Sequence, residues 1–172
     1  MRHLKSVLFV FLFAVFTISA NSQTTVGIQV GNKAPEIIES GINGQSLKLS
    51  SLAGKIVLID FWASWCRPCR NENPSVVAAY QKYKDTSFKG GKGFTIFSVS
   101  LDRDAAAWKN AIQADHLTWE NHVCKPNNPG DYVRNYQINA IPSSFLIDGN
   151  GIILATNLRG ESLEQKLASL KN

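Results

Sequence analysis

Cys66 and Cys69 are separated by two residues in Trp65-Cys66-Arg67-Pro68-Cys69. A thiol pair at this spacing can cycle through a disulfide, hold a static one, or supply half of a metal site. The flanking sequence puts the pair between a strand and a helix. Ile56-Val57-Leu58-Ile59-Asp60-Phe61 is a continuous run rich in β-branched residues, and Val76, Val77, Tyr80 and Tyr83 recur at helical spacing after Cys69. A helix N-terminus favours a thiolate, and thiolate is the species that attacks a disulfide. Cys66 is then the nucleophile and Cys69 the thiol that resolves the mixed disulfide. Pro68 suits the first helical turn, where its missing N–H has no intrahelical partner.

A four-ligand zinc site normally needs a second pair of ligands, and only His122 and Cys124 could be recruited. No metal is expected, although copper or zinc binding or delivery stands as the alternative class. The third thiol, Cys124, reads as a small buried hydrophobe at a strand end. His116 and His122 have no recognisable partner and are expected in loops.

The elements that must position the pair follow from pattern. Residues 34–52 read as a hairpin interrupted by Gly41-Ile42-Asn43-Gly44, and Ile56 to Phe61 as a central strand buried on both faces. The helix from Pro68 to Lys84 should kink at Pro74. Phe94 to Leu101 is a second buried strand, and Asp104 caps a helix ending at Ala114. Trp119 to Cys124 is a short strand and Asp131 to Tyr136 a short helix. Strands Ser144 to Asp148 and Ile152 to Thr156 flank the turn Gly149-Asn150-Gly151. A helix from Ser162, its cap, to Leu170 closes the chain. Strands alternating with helices give an α/β fold whose sheet is largely parallel, with an antiparallel pair at its end.

A chain of 172 residues suits one domain with a core of its own, and three cysteines are too few for a disulfide scaffold. Arg2 and Lys5 precede the apolar run Val7 to Phe16, which is shorter than a membrane span. Residues 1–22 therefore read as a cleavable export signal to the periplasm, with an uncleaved membrane tether as the alternative, 23–33 as a flexible lead-in and 34–172 as the domain. No cysteine near the cleavage region supports a lipid anchor. The remaining 16 basic and 13 acidic residues, a net charge of +3, are scattered, without the stripe that nucleic acid would require.

Asp60-Phe61-Trp62-Ala63-Ser64-Trp65-Cys66-Arg67-Pro68-Cys69 resembles the active-site segment of thioredoxins, and so do Pro74 and Ile141-Pro142, whose proline matches the family's cis-proline. Asn128-Pro129-Gly130 and the Tyr136 to Asp148 stretch are also similar. Ala34-Pro35, Gly54-Lys55 and Leu101-Asp102-Arg103-Asp104 resemble the exported TlpA/ResA branch, most of whose members reduce disulfides outside the cytoplasm, some of them in cytochrome c maturation. The resemblance implies a thioredoxin fold with an added N-terminal β-hairpin, residues 34–52, and a central βα insertion near 101–123.

The same resemblance implies the site. Asp60 matches the buried acid of thioredoxins, and Glu72 matches an acid near the cysteines in the TlpA/ResA branch. Burial would raise their pKa values and suit them to proton exchange with Cys69. The alternative for Glu72 is a solvated acid at a helix start. Ile141-Pro142 implies a docking segment whose backbone pairs with an extended client, with Trp65, Arg67 and Pro68 at the rim and Trp62 in the core. No cofactor is implied beyond the Cys66–Cys69 disulfide. The implied partners are disulfide-containing client proteins and an electron donor outside the cytoplasm, and the chain is expected to be a monomer that is not embedded in the membrane. A thiol peroxidase of the peroxiredoxin type would need Pro at Ile59 and Thr at Ala63.

Overall fold

A computed structural model describes residues 24–126 and 130–172. The export signal read at 1–22 and the Asn128-Pro129 pair lie outside them. In chain order the elements are β1 (Ile38–Ser40), β2 (Ser46–Lys48), a 3-10 turn (Leu49–Leu52), β3 (Ile56–Trp62), α1 (Arg67–Tyr83), β4 (Ser87–Phe88), β5 (Gly91–Lys92), β6 (Phe94–Ser100), α2 (Ala105–Ala114), β7 (His122–Cys124), α3 (Tyr132–Asn135), β8 (Ser143–Ile147), β9 (Ile153–Thr156) and α4 (Gly160–Ser169).

The main sheet has the order β7-β6-β3-β8-β9. Strands β7, β6 and β3 are parallel, whereas β8 and β9 run antiparallel to their neighbours, so the sheet is mixed. As its unbroken apolar run requires, β3 is central and packed on both faces. Successive side chains of a strand point to opposite faces. Ile56, Leu58 and Trp62 join the core with residues of α1, α2 and α4, while Val57, Ile59 and Phe61 join that with α3 and the N-terminal hairpin. Asp60 therefore faces the layer of α1 and α4. On the other face the Phe61 ring lies 5.2 Å from Tyr136 and 6.2 Å from Phe145, edge-on to the latter.

Local chemistry explains several boundaries. Asp104 accepts from the N–H groups of Ala106 and Ala107 and so starts α2. Asp148 Oδ1 accepts from the N–H groups of Asn150 and Ile152, and Gly151 takes the positive φ (81°) that closes the β8–β9 turn. Helix α1 continues through Pro74.

Four expectations are corrected. The closing helix begins at Gly160, not Ser162; Ser162 sits in its first turn and reaches back, its Oγ accepting from the Arg159 N–H at 2.9 Å. The end of the lead-in is tied to the sheet, since Gly31 N–H donates to Ile153 O and Ile153 N–H to Asn32 O, each at 2.9 Å, covering the start of edge strand β9. Only His122–Cys124 of the stretch from Trp119 pairs as a strand. His122 is buried and not in a loop: its Nε2 is 3.2 Å from the Leu117 carbonyl and its ring stacks on Trp119. Desolvation lowers its pKa to about 4, so the ring stays neutral.

Candidate dithiol site

The site grows from the end of β3. Beyond Trp62 the chain leaves the sheet and re-enters helix at Arg67, with Cys66 as the N-cap of α1. Cys66 and Cys69 are joined by a disulfide with Cα atoms 5.3 Å apart, and Cys66 Sγ accepts from the Cys69 N–H at 3.2 Å. That N–H is one of the donors a helix start leaves without an intrahelical partner, so the helix supplies a hydrogen bond to the first sulfur of the pair. Cys66 is 5% exposed and Cys69 2%. Around them Trp65 is 66% exposed, and Arg67 and Pro68 are exposed too.

The loop before Cys66 is clamped at Ser64. The Asp102 carboxylate, itself buried, accepts from the Ser64 N–H at 2.8 Å and from its hydroxyl at 2.5 Å, and also from the Ser100 hydroxyl. From the other side Arg70 donates to the Ser64 carbonyl at 3.2 Å while its guanidinium grips Asp115 with two nitrogens. Asn73 donates to the same Asp115 carboxylate. Sequence reading missed Ser64, Asp102, Arg70 and Asp115, whose partners come from the start and end of α2. No spacing rule pairs residues across such a distance in the chain.

The Glu72 charge bears on the Asp60 carboxyl. Asp60 retains partial solvent access, yet its pKa is raised to about 7, first by desolvation and then by the nearby Glu72 charge, with Arg159 opposing. Glu72 is half-buried in the second turn of α1, and its Oε1 accepts from the Gly160 N–H at 2.6 Å. It is therefore not a solvated acid serving its own helix, but a cap on α4.

The Ile141–Pro142 peptide bond is cis. Because β8 pairs antiparallel with β3, with Ser143 opposite Phe61, the Ile141–Pro142 segment runs beside the end of β3 that leads to Cys66. Both residues are half-buried, and the Pro142 carbonyl accepts from Arg159. Cys124 stands apart: it is buried, its Sγ lies 3.4 Å from the Asp102 carbonyl, and burial pushes its pKa up to about 11. Among the described residues no three His, Cys, Asp or Glu side chains are grouped to hold a metal ion, and no helix is long and apolar enough to cross a membrane.

A family model described as thioredoxin-like matches residues 54–153. A thiol-disulfide oxidoreductase named ResA from Geobacillus kaustophilus is 30% identical over 172 residues, covering 96% of this chain and 93% of the relative. The ResA of Bacillus thuringiensis strain Al Hakam is also 30% identical, over 84% of this chain and 78% of its own. Among solved structures, the thioredoxin domain of a thiol-disulfide oxidoreductase from Bacteroides vulgatus superposes with a TM-score of 0.76 at 35% identity, covering 85% of this chain and all of that one. A thiol:disulfide interchange protein of the DsbE type from Chlorobium tepidum gives 0.71 at 32% identity, over 83% and 98% of the two chains. A thiol–disulfide oxidoreductase acts on disulfide-containing substrates, and the paired cysteines at the head of α1 are the group that such chemistry uses. The chain belongs to the thioredoxin-like family and is a thiol–disulfide oxidoreductase of the ResA type.

Proposed function

We propose that the chain is an exported, monomeric reductase that opens disulfides in client proteins outside the cytoplasm, with Cys66 as nucleophile and Cys69 as resolving thiol. In the reduced state the Cys66 thiolate attacks one sulfur of a client disulfide. A mixed disulfide forms, and one client thiolate leaves. Cys69 then gives its proton to Asp60 and attacks the Cys66 sulfur, closing the Cys66–Cys69 bond and releasing the second client thiolate. The client gains two electrons and this chain loses two, which an extracytoplasmic dithiol donor restores.

The observation that carries this reading is the Cys66–Cys69 disulfide at the head of α1, where the Cys69 N–H donates to Cys66 Sγ; the Asp60 carboxyl, raised to about 7 chiefly by desolvation, suits a proton acceptor for a thiol. Exposed Trp65, Arg67 and Pro68 offer a client its first contacts, and Ile141–Pro142 offers backbone for an extended segment to pair with. Glu72 acts through Asp60, by holding its proton affinity high. Clients of this kind include the cysteine pairs of c-type apocytochromes.

Insulin reduction with dithiothreitol as donor tests the reading. Cys66→Ser is expected to abolish it without unfolding the protein, and activity above a few tens of per cent of wild type would remove Cys66 as nucleophile. The reduction potential tests the direction: a value near about −270 mV marks a reductant, and one near about −120 mV an oxidant.

A further inference from the structure

Arg159 belongs to no motif of the sequence, yet it stands where three parts of the dithiol site meet. Its guanidinium donates to the carbonyl of Pro142. Its backbone N–H is held by Ser162 Oγ, and the next N–H along, that of Gly160, donates to Glu72. The residue is thus anchored at the N-cap of α4 while its exposed side chain reaches over to the Ile141–Pro142 segment.

The sheet supplies Asp60 with no cation. Its partners in register are Ser98 on β6 and Ser144 on β8, and both hydroxyls are engaged elsewhere: Ser98 accepts from Trp119 Nε1 at 3.0 Å, and Ser144 donates to the Leu158 carbonyl at 3.2 Å. Among the described residues, the charged groups that bear on the Asp60 carboxyl are Glu72 from α1, which opposes its ionisation, and Arg159 from the head of α4, which favours it.

We propose that Arg159 is a positioning residue that couples the two halves of this site: its guanidinium fixes the docking segment through the Pro142 carbonyl and supplies the positive charge that faces the Asp60–Glu72 acid pair. The assignment rests on the reading of Ile141–Pro142 as the docking segment and of Asp60 as proton acceptor. A planar guanidinium carries several N–H donors in fixed directions, so one side chain can serve the carbonyl while its charge acts on the acids. Lysine would keep the charge and lose the fork. The two roles are therefore separable by substitution.

The test compares wild type, Arg159→Lys and Arg159→Gln. Two quantities are read: the titration midpoint of the Asp60 carboxyl, followed by carbon-13 NMR in the oxidised protein, and KM for insulin reduction across neutral pH. In Arg159→Gln the cation that favours ionisation is gone, so the midpoint is expected to rise by roughly half a pH unit, and KM should increase several-fold. Arg159→Lys should restore the midpoint and leave KM high. A midpoint or KM unmoved in Arg159→Gln overturns the proposal, as does a lysine variant that restores neither. The titration needs no turnover. A wild type that fails to reduce insulin while the midpoint still responds to Arg159→Gln would retire the reductase reading and leave the Arg159–Asp60 coupling. Normal wild-type turnover with an unresponsive midpoint would retire Arg159 alone.

Discussion

Glu72 Oε1 accepts the Gly160 N–H at 2.6 Å, so the helix that carries the cysteines is tied by its second turn to the first turn of the helix that closes the chain. One carboxylate thereby serves as a cap for α4 and as the negative neighbour that raises the proton affinity of Asp60. The two duties part on mutation. Glu72→Gln keeps an acceptor oxygen for Gly160 and drops the charge, so the Asp60 pKa should fall from about 7 and the acid limb of the pH–rate profile should move to lower pH. Glu72→Ala should move that limb the same way and also cost about 1 kcal/mol of stability through the lost cap. Urea denaturation alongside pH–rate measurements separates them; equal stability of the two variants would show that the cap contributes nothing.

Asp60 should leave a signature in stability as well as in rate. Its folded pKa, about 7, lies above its ordinary value of 3.8, so between those pH values the folded state holds a proton that the unfolded state has released. Stability therefore falls as pH rises through this window, and the deficit is complete above pH 7. Asp60→Asn should be more stable than wild type at pH 8, with the advantage shrinking toward pH 4. Its rate deficit should also shrink as pH rises, because Cys69 then loses its proton unaided. Thermal unfolding at several pH values checks the first part; an advantage that does not vary with pH would contradict it.

The central strand, the two cysteines at a helix start, the Asp104 cap and the β8–β9 turn were legible because each is written in a contiguous pattern: an apolar run, a two-residue spacing, a short polar side chain before a helix. The clamp on Ser64 was not. Asp102 lies 38 residues from it and Asp115 lies 45 from Arg70, so only the fold brings these groups together. Arg159 escaped notice for the same reason, as an exposed cation on a chain with scattered charge. His122 was misread because a lone histidine after Glu120-Asn121 resembles a loop, whereas edge strand β7 buries it against Trp119. Strands β4 and β5 are two residues each, too short for any alternation to register.

Asp102 should matter more than its distance from the cysteines suggests. Its buried carboxylate accepts three hydrogen bonds, two of them from Ser64, and an asparagine amide would offer one acceptor oxygen where the carboxylate offers two. Asp102→Asn is expected to lose about 1–3 kcal/mol of stability and to lower kcat for insulin reduction as the Trp65–Cys66 loop loosens. Urea denaturation and steady-state kinetics check this, and wild-type values in both would show that the clamp is dispensable.

Cys124 should be chemically silent. Burial and a thiol pKa near 11 leave it almost wholly protonated at neutral pH. In the native protein it should resist iodoacetamide, and Cys124→Ser should retain full redox activity with a stability loss of no more than about 1 kcal/mol, since the serine hydroxyl can donate to the Asp102 carbonyl that Sγ now faces. Rapid native alkylation, or a disulfide-linked dimer of wild type that disappears in the variant, would contradict this.

The central claim is that Cys66 attacks and Cys69 resolves, and Cys69→Ser tests it most directly. With the nucleophile present and the resolving thiol gone, exchange must stop at the mixed disulfide. Expressed in its native compartment, the Cys69→Ser variant should accumulate dithiothreitol-sensitive adducts with other proteins, seen on non-reducing gels, and adding Cys66→Ser should abolish them. Absence of adducts from Cys69→Ser, or their persistence in the double variant, would contradict the account.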